Sequence, residues 1–152
     1  MIGIYRRLSS QPNDLERNPF ASAKGYHPGW VYHGLVVGTP AEAALFLSRL
    51  LGGDLLDAAM VNSMQSRFPI AERAKDGRPW SSAGYGLGLM MDVRSEAGPC
   101  YGHTGEGPGS TTATYWFETL PGRRTIAVFA GTSDPGRVER EVLQIARAGQ
   151  LS

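Results

Sequence analysis

The chain has 152 residues, and its 15 Lys or Arg against 14 Asp or Glu leave a net charge of +1. That length suits one domain with a real core. With no basic cluster longer than Arg6-Arg7 or Arg123-Arg124, there is no electrostatic reason to expect a nucleic-acid partner. The single cysteine, Cys100, excludes an internal disulfide, and Cys100 with His103 falls short of the about four ligands of a closed zinc site, so no metal is expected. No run approaches the ~20 apolar residues of a membrane span, and Met1 to Arg7 lacks the order of a secretory signal.

Residues 1–30 are rich in Pro, Asn, Ser, Gly and charge, and predict an irregular segment with one short element. Thr39-Pro40-Ala41-Glu42 is then a helix start: Thr as cap, Pro at the first helical position, Glu to complete a capping box. The helix should run to Leu51, where Gly52-Gly53 stops it, with Ala43, Leu45, Phe46, Leu47, Leu50 and Leu51 on its apolar face. Asp54 is the expected cap of a second helix over 55–65, with Asp57 a solvated neighbour. Residues 67–82 are charged and turn-rich and read as a surface excursion.

From Gly84 onward glycine, aromatic and β-branched residues dominate in short blocks. Strands are predicted over 85–91, 100–104, 112–118 and 125–130, the last two joined through Pro121-Gly122 as an antiparallel hairpin. Asp134-Pro135 opens a final helix whose Val138, Val142, Leu143, Ile145 and Ala146 form one apolar face for that sheet.

His103 is the candidate of most interest. It stands where a strand begins, beside Gly105, Gly107 and Gly109, and an imidazole there can present a polar group to a ligand that approaches the backbone closely. Nucleotide binding is excluded on two grounds. Neither Lys24 nor Lys75 follows the glycines as a phosphate loop requires, and Gly105-Glu106-Gly107 leads into a strand rather than a helix. Ser81, Ser82 and Ser110 lack a nucleophile's setting, while Trp30, Tyr32 and Trp80 read as core or rim packing.

Five pieces occur in a distinctive order: Gly34-Leu35 through Thr39-Pro-Ala-Glu42 to Phe46, then Tyr85-Gly-Leu-Gly-Leu89, His103-Thr-Gly105, the 112–130 hairpin and the 135–148 helix. Over residues 25–150 this order resembles the C-terminal part of the penicillin-recognising serine hydrolases: class C β-lactamases, D-alanyl-D-alanine carboxypeptidases and related esterases. The resemblance implies that His103 orients substrate and assists proton transfer. Thr104 and Gly105 complete the substrate-binding triplet, and the Glu106 backbone N–H donates to an oxyanion hole. A carboxylate at 106 and a histidine in place of lysine depart from the penicillin-hydrolysing pattern and favour an esterase-like or amidase-like parent. The family's Ser-x-x-Lys nucleophile is absent, since Ala21 and Glu72 precede Lys24 and Lys75 by three residues, and no Tyr-x-Asn or Ser-x-Asn occurs.

The expected fold class is therefore α+β, an antiparallel sheet of about three to five strands backed by helices, with residues 31–152 forming the C-terminal part of a serine β-lactamase-like domain. The expected function is that part of a serine acyl hydrolase cleaving an ester, amide or β-lactam through an acyl-enzyme, without a cofactor and inert alone. Its partners would be a small-molecule or peptide acyl substrate and the missing N-terminal half, in a periplasmic, secreted or cytoplasmic setting. The alternatives are a non-catalytic module binding peptides or cell-wall fragments beside His103, and an interaction module that forms a homo-oligomer through an exposed sheet edge.

Overall fold

The computed structural model describes residues 4–8, 38–71, 77–107, 110–122 and 124–150. The remainder of the first 37 residues, including His27, Trp30, Tyr32, His33 and Gly34-Leu35, lies outside the described residues, as do Lys75 and Pro108-Gly109.

Helix α1 (Pro40–Leu51) begins with the full capping box that its sequence predicts. Thr39 Oγ1 accepts from the Glu42 N–H at 3.2 Å, and the Glu42 carboxylate accepts from the Thr39 N–H at 2.7 Å. Those bonds hold the Glu42 carboxyl below its ordinary pKa. The buried stripe is Ala44, Leu47, Ser48 and Leu51, which is narrower than the composition suggested: Leu45 and Phe46 face outward. Helix α2 (Ala58–Gln65) is capped by Asp57, whose Oδ1 accepts from the Met60 N–H at 2.8 Å. Asp54 does not cap it, because the turns after α1, including Gly53 at φ +86°, delay the helical conformation by three residues.

The expected surface excursion opens as a strand, β2 (Phe68–Ala71), which pairs antiparallel with β3 (Ala83–Tyr85). The predicted single strand 85–91 is a hairpin of β3 and β4 (Met90–Asp92). Gly86 N–H bonds to the Leu89 carbonyl at 2.8 Å, and Gly88 at φ +74° takes the left-handed conformation that turns the chain back.

Strands β5 (Cys100–Gly107), β6 (Ser110–Phe117) and β7 (Thr125–Ala130) extend the meander, and the β6–β7 turn at Pro121-Gly122 is closed by the Phe117 N–H on the Arg124 carbonyl at 2.9 Å. Residues 4–8 form an edge strand, β1, parallel to β7. Among the described residues the sheet has seven strands in the order β1-β7-β6-β5-β4-β3-β2, all antiparallel except β1. Helix α3 (Pro135–Ala148) is capped by Asp134, as its sequence predicts. The α+β class holds. The strand count exceeds expectation because β2 sits on a proline-containing stretch and the 85–91 run folds in two.

Strand alternation sends side chains into two cores. On one face Cys100, Ala113, Tyr115, Phe117, Ile126 and Val128 pack under Val138, Val142, Leu143 and Ala146 of α3. On the other, Met91 and Trp116 meet Leu47 and Leu51 of α1 and Val61 of α2. Burial pushes the Cys100 thiol up to about 12 and the Tyr115 hydroxyl well above its usual value. A raised folded-state pKa means that the unfolded chain ionises first. This stabilisation is therefore complete below pH about 9 and is lost as pH rises towards 12. Urea midpoints should accordingly fall through that window, and Cys100→Ala should remove the thiol's share of the fall.

Candidate functional site

Pairing between β5 and β4 ends at Met90–Gly102, whereas pairing with β6 continues from His103–Thr114 to Gly107–Ser110. Among the described residues, the outer edge of β5 from His103 to Gly107 thus has no strand beside it. A backbone edge left open in this way is where an extended ligand can add its own hydrogen bonds.

Along this segment the side chains alternate. His103 is exposed and sits on the α1–α2 side of the sheet's register. Its Nδ1 lies 2.9 Å from the Thr104 carbonyl, and since a carbonyl only accepts, Nδ1 carries the hydrogen. Its Nε2 lies 2.6 Å from Tyr85 Oη, with the two rings edge to face, 5.9 Å between centroids at 86°.

Thr104 projects to the opposite side, into a buried polar network. Its hydroxyl donates to Glu139 Oε1 at 2.7 Å and meets Tyr115 Oη at 2.9 Å. Because a carboxylate accepts only, the Thr104 hydrogen goes to Glu139 and the Tyr115 hydroxyl donates to Thr104. Glu139 is fully buried and receives a two-pronged bond from Arg78, through Nη2 to Oε1 and through Nε to Oε2, the latter at 2.5 Å. This contact, foremost, raises the Arg78 guanidinium pKa above its ordinary value, with Glu106 contributing more weakly. The network ties β5 to α3 directly behind His103.

Gly102 and Gly105 differ in what they exclude. A Cβ on Gly102 would collide with the Thr114 carbonyl oxygen, whereas one on Gly105 would meet only the Thr112 hydroxyl, at 3.1 Å. Glu106 is exposed and pairs with Thr111. Successive backbone N–H groups of a strand point to alternate sides. The Glu106 N–H therefore points to the same side as the Thr104 carbonyl that His103 engages.

The serines near the site are structural. Ser81 and Ser82 give their N–H groups to the buried Asp92 carboxylate at 2.6 and 3.2 Å; the Ser81 hydroxyl bonds the Arg94 carbonyl at 2.6 Å, and the Ser82 hydroxyl accepts from Arg67 at 3.0 Å. Trp80 is buried against Tyr115, ring centroids 4.8 Å apart. A groove of about 450 Å³ beside α3 is lined by Arg78, Arg140 and Arg147, but its cations are spent on Glu139, the Gly77 carbonyl and Glu96 respectively. Among the described residues no group of three or more His, Cys, Asp or Glu could hold a metal ion, and no helix is long and apolar enough to cross a membrane.

The structure brings His103, Thr104, Gly105 and Glu106 together on one strand and adds Arg78, Tyr115 and Glu139, which the sequence did not single out, and Tyr85, named there only as the head of the Tyr85-Gly-Leu-Gly-Leu89 run. Glu139 had a visible signal, since it lies one residue from Val138 and a helical turn from Val142 and Leu143, a charge within an apolar stripe. The contact of Tyr85 with His103 had none, because the two stand 18 positions apart and on different strands.

The architecture, an antiparallel sheet backed by helices, is that of a fragment of the β-lactamase-like fold. In particular, the chain is similar to a solved structure of a D-stereospecific amidohydrolase from Streptomyces sp., with a TM-score of 0.54 and 25% identity over 70% of this chain and 28% of that one. The chain thus spans little more than a quarter of that protein's length. No family model matches the chain.

Proposed function

We propose that residues 31–152 are the C-terminal part of a serine acyl hydrolase of the β-lactamase-like family, acting on ester or amide bonds through an acyl-enzyme. The observation that carries this reading is the open edge of β5 from His103 to Gly107, bearing the His-Thr-Gly triplet in a fold shared with an amidohydrolase. In this reading His103 orients the substrate, and Thr104 and Gly105 line it with backbone. The Glu106 N–H donates to the oxyanion, with the Glu106 carboxylate turned towards solvent on the Arg78 side. Preorganised N–H donors of this kind are worth about 3–4 kcal/mol each in acyl transfer, but they act on a nucleophile. The sequence holds no Ser-x-x-Lys, so the 152-residue chain is inert alone.

A fluorophosphonate probe, nitrocefin and p-nitrophenyl acetate test this directly. The expected result is no covalent labelling and no turnover by the 152-residue chain, with labelling at a serine once the chain is expressed joined to its upstream coding sequence. Labelling of a serine within the chain, or an upstream frame without Ser-x-x-Lys, would overturn the reading.

A further inference from the structure

We propose that Tyr85 is the positioning residue of the His103 edge, fixing the imidazole in its Nδ1–H form and replacing Nε2 as the polar atom offered to a ligand. Two contacts of the one ring decide where its hydrogen lies. The Thr104 carbonyl can only accept, which places the imidazole hydrogen on Nδ1. In the neutral ring Nε2 is then an acceptor, and the only hydrogen available across the 2.6 Å contact is that of the Tyr85 hydroxyl. Both ring nitrogens are thereby occupied by the protein itself. The planes of the two rings stand nearly perpendicular across this contact, at 86°.

Tyr85 reaches this place because of the short β3–β4 hairpin. It is the last residue of β3, and Gly86 turns the chain immediately after it. Strand β4 stops pairing with β5 at Gly102, one residue before His103. The phenol extends past the end of β4 to the segment of β5 that β4 leaves uncovered.

The consequence for recognition, which rests on the acyl-hydrolase reading above, is a change in the atom that meets the substrate. With its hydrogen given to Nε2, Tyr85 Oη presents lone pairs outward. The edge therefore offers an acceptor beside the backbone donor of Glu106, a pattern suited to an amide substrate, whose N–H needs an acceptor while its carbonyl needs a donor. An ester lacks that N–H.

Nitrogen-detected NMR of the 152-residue chain tests the proposal without any substrate. Long-range ¹⁵N–¹H correlations report which ring nitrogen is protonated, and His103→Gln assigns the His103 signals among the three histidines. The expected spectrum of the uncharged ring shows His103 protonated at Nδ1 alone. In Tyr85→Phe the ring should shift towards the Nε2–H form, with the far-ultraviolet circular dichroism unchanged. A wild-type ring protonated at Nε2 would overturn the proposal whatever the variant does, and so would a Tyr85→Phe variant with an unaltered tautomer. Because no turnover is measured, failure here leaves the acyl-hydrolase reading standing. Failure of the labelling experiment likewise leaves the tautomer result intact.

Discussion

Glu139→Ala should lower the stability of the chain by about 3–5 kcal/mol, the cost of removing one partner from a buried ion pair. The carboxylate is fully buried, while the Arg78 side chain retains 24% of its exposure, so the guanidinium left behind is only partly hydrated. The loss does not stop there: the Thr104 hydroxyl loses its acceptor, and the Tyr115 hydroxyl behind it must reorient in an apolar setting. Against a total stability of about 5–15 kcal/mol for a domain of ordinary size, such a variant is close to unfolding. Replacing both partners, as in Arg78→Met with Glu139→Leu, should recover most of the loss, since two apolar groups leave no stranded charge. Urea denaturation of the two single variants and the double variant measures this cycle. A Glu139→Ala cost below about 1 kcal/mol would mean that the pair is solvated in solution.

Gly102→Ala should be the most damaging small substitution in the sheet. The added methyl would enter the Thr114 carbonyl oxygen and come within 2.7 Å of the Tyr115 Cα, both backbone atoms of β6 that cannot rotate away. Overpacking a side-chain core costs about 1–3 kcal/mol, and a clash with backbone belongs at or above the top of that range. Gly105→Ala is the control, three residues along the same strand, where the methyl would meet only a hydroxyl at 3.1 Å. Its expected cost is below about 1 kcal/mol. Denaturation midpoints of the two variants should therefore separate clearly; equal values would show that β5 and β6 do not approach as closely as the structure has them.

The legible parts of this fold were those encoded within a few residues. Thr39, Pro40 and Glu42 announce α1 because capping is a local exchange of hydrogen bonds, and Asp134-Pro135 announces α3 for the same reason. The 112–118 and 125–130 strands were visible in their β-branched and aromatic residues. Strand β2 was hidden because Pro69 reads as a loop signal, though an edge strand tolerates it. The β3–β4 hairpin was hidden because Tyr85-Gly-Leu-Gly-Leu89 reads as one run until Gly88 is seen at positive φ. At the candidate site, His103 and its glycines could be picked out from composition and motif. The groups that fix their orientation could not, because Glu139 reaches Thr104 across 35 positions and Arg78 reaches Glu139 across 61.

Pro69 also bears on self-association. It removes a backbone donor from the middle of β2, the outermost strand at that end of the sheet among the described residues, although Phe68 and Ile70 beside it are 74% and 63% exposed. Continuous strand addition by a second copy at this edge is therefore opposed by the backbone.

The parallel strand β1 imposes an order on assembly. From Ala83 to Ala130 each strand is laid beside its predecessor by a short connection, so those pairings close small loops and can form early. Ile4 instead meets Ile126, and a parallel pairing across that span closes only after β7 exists as a template. Among the strand pairings of the described residues, that of β1 with β7 therefore closes the longest loop and carries the largest loop-closure entropy cost.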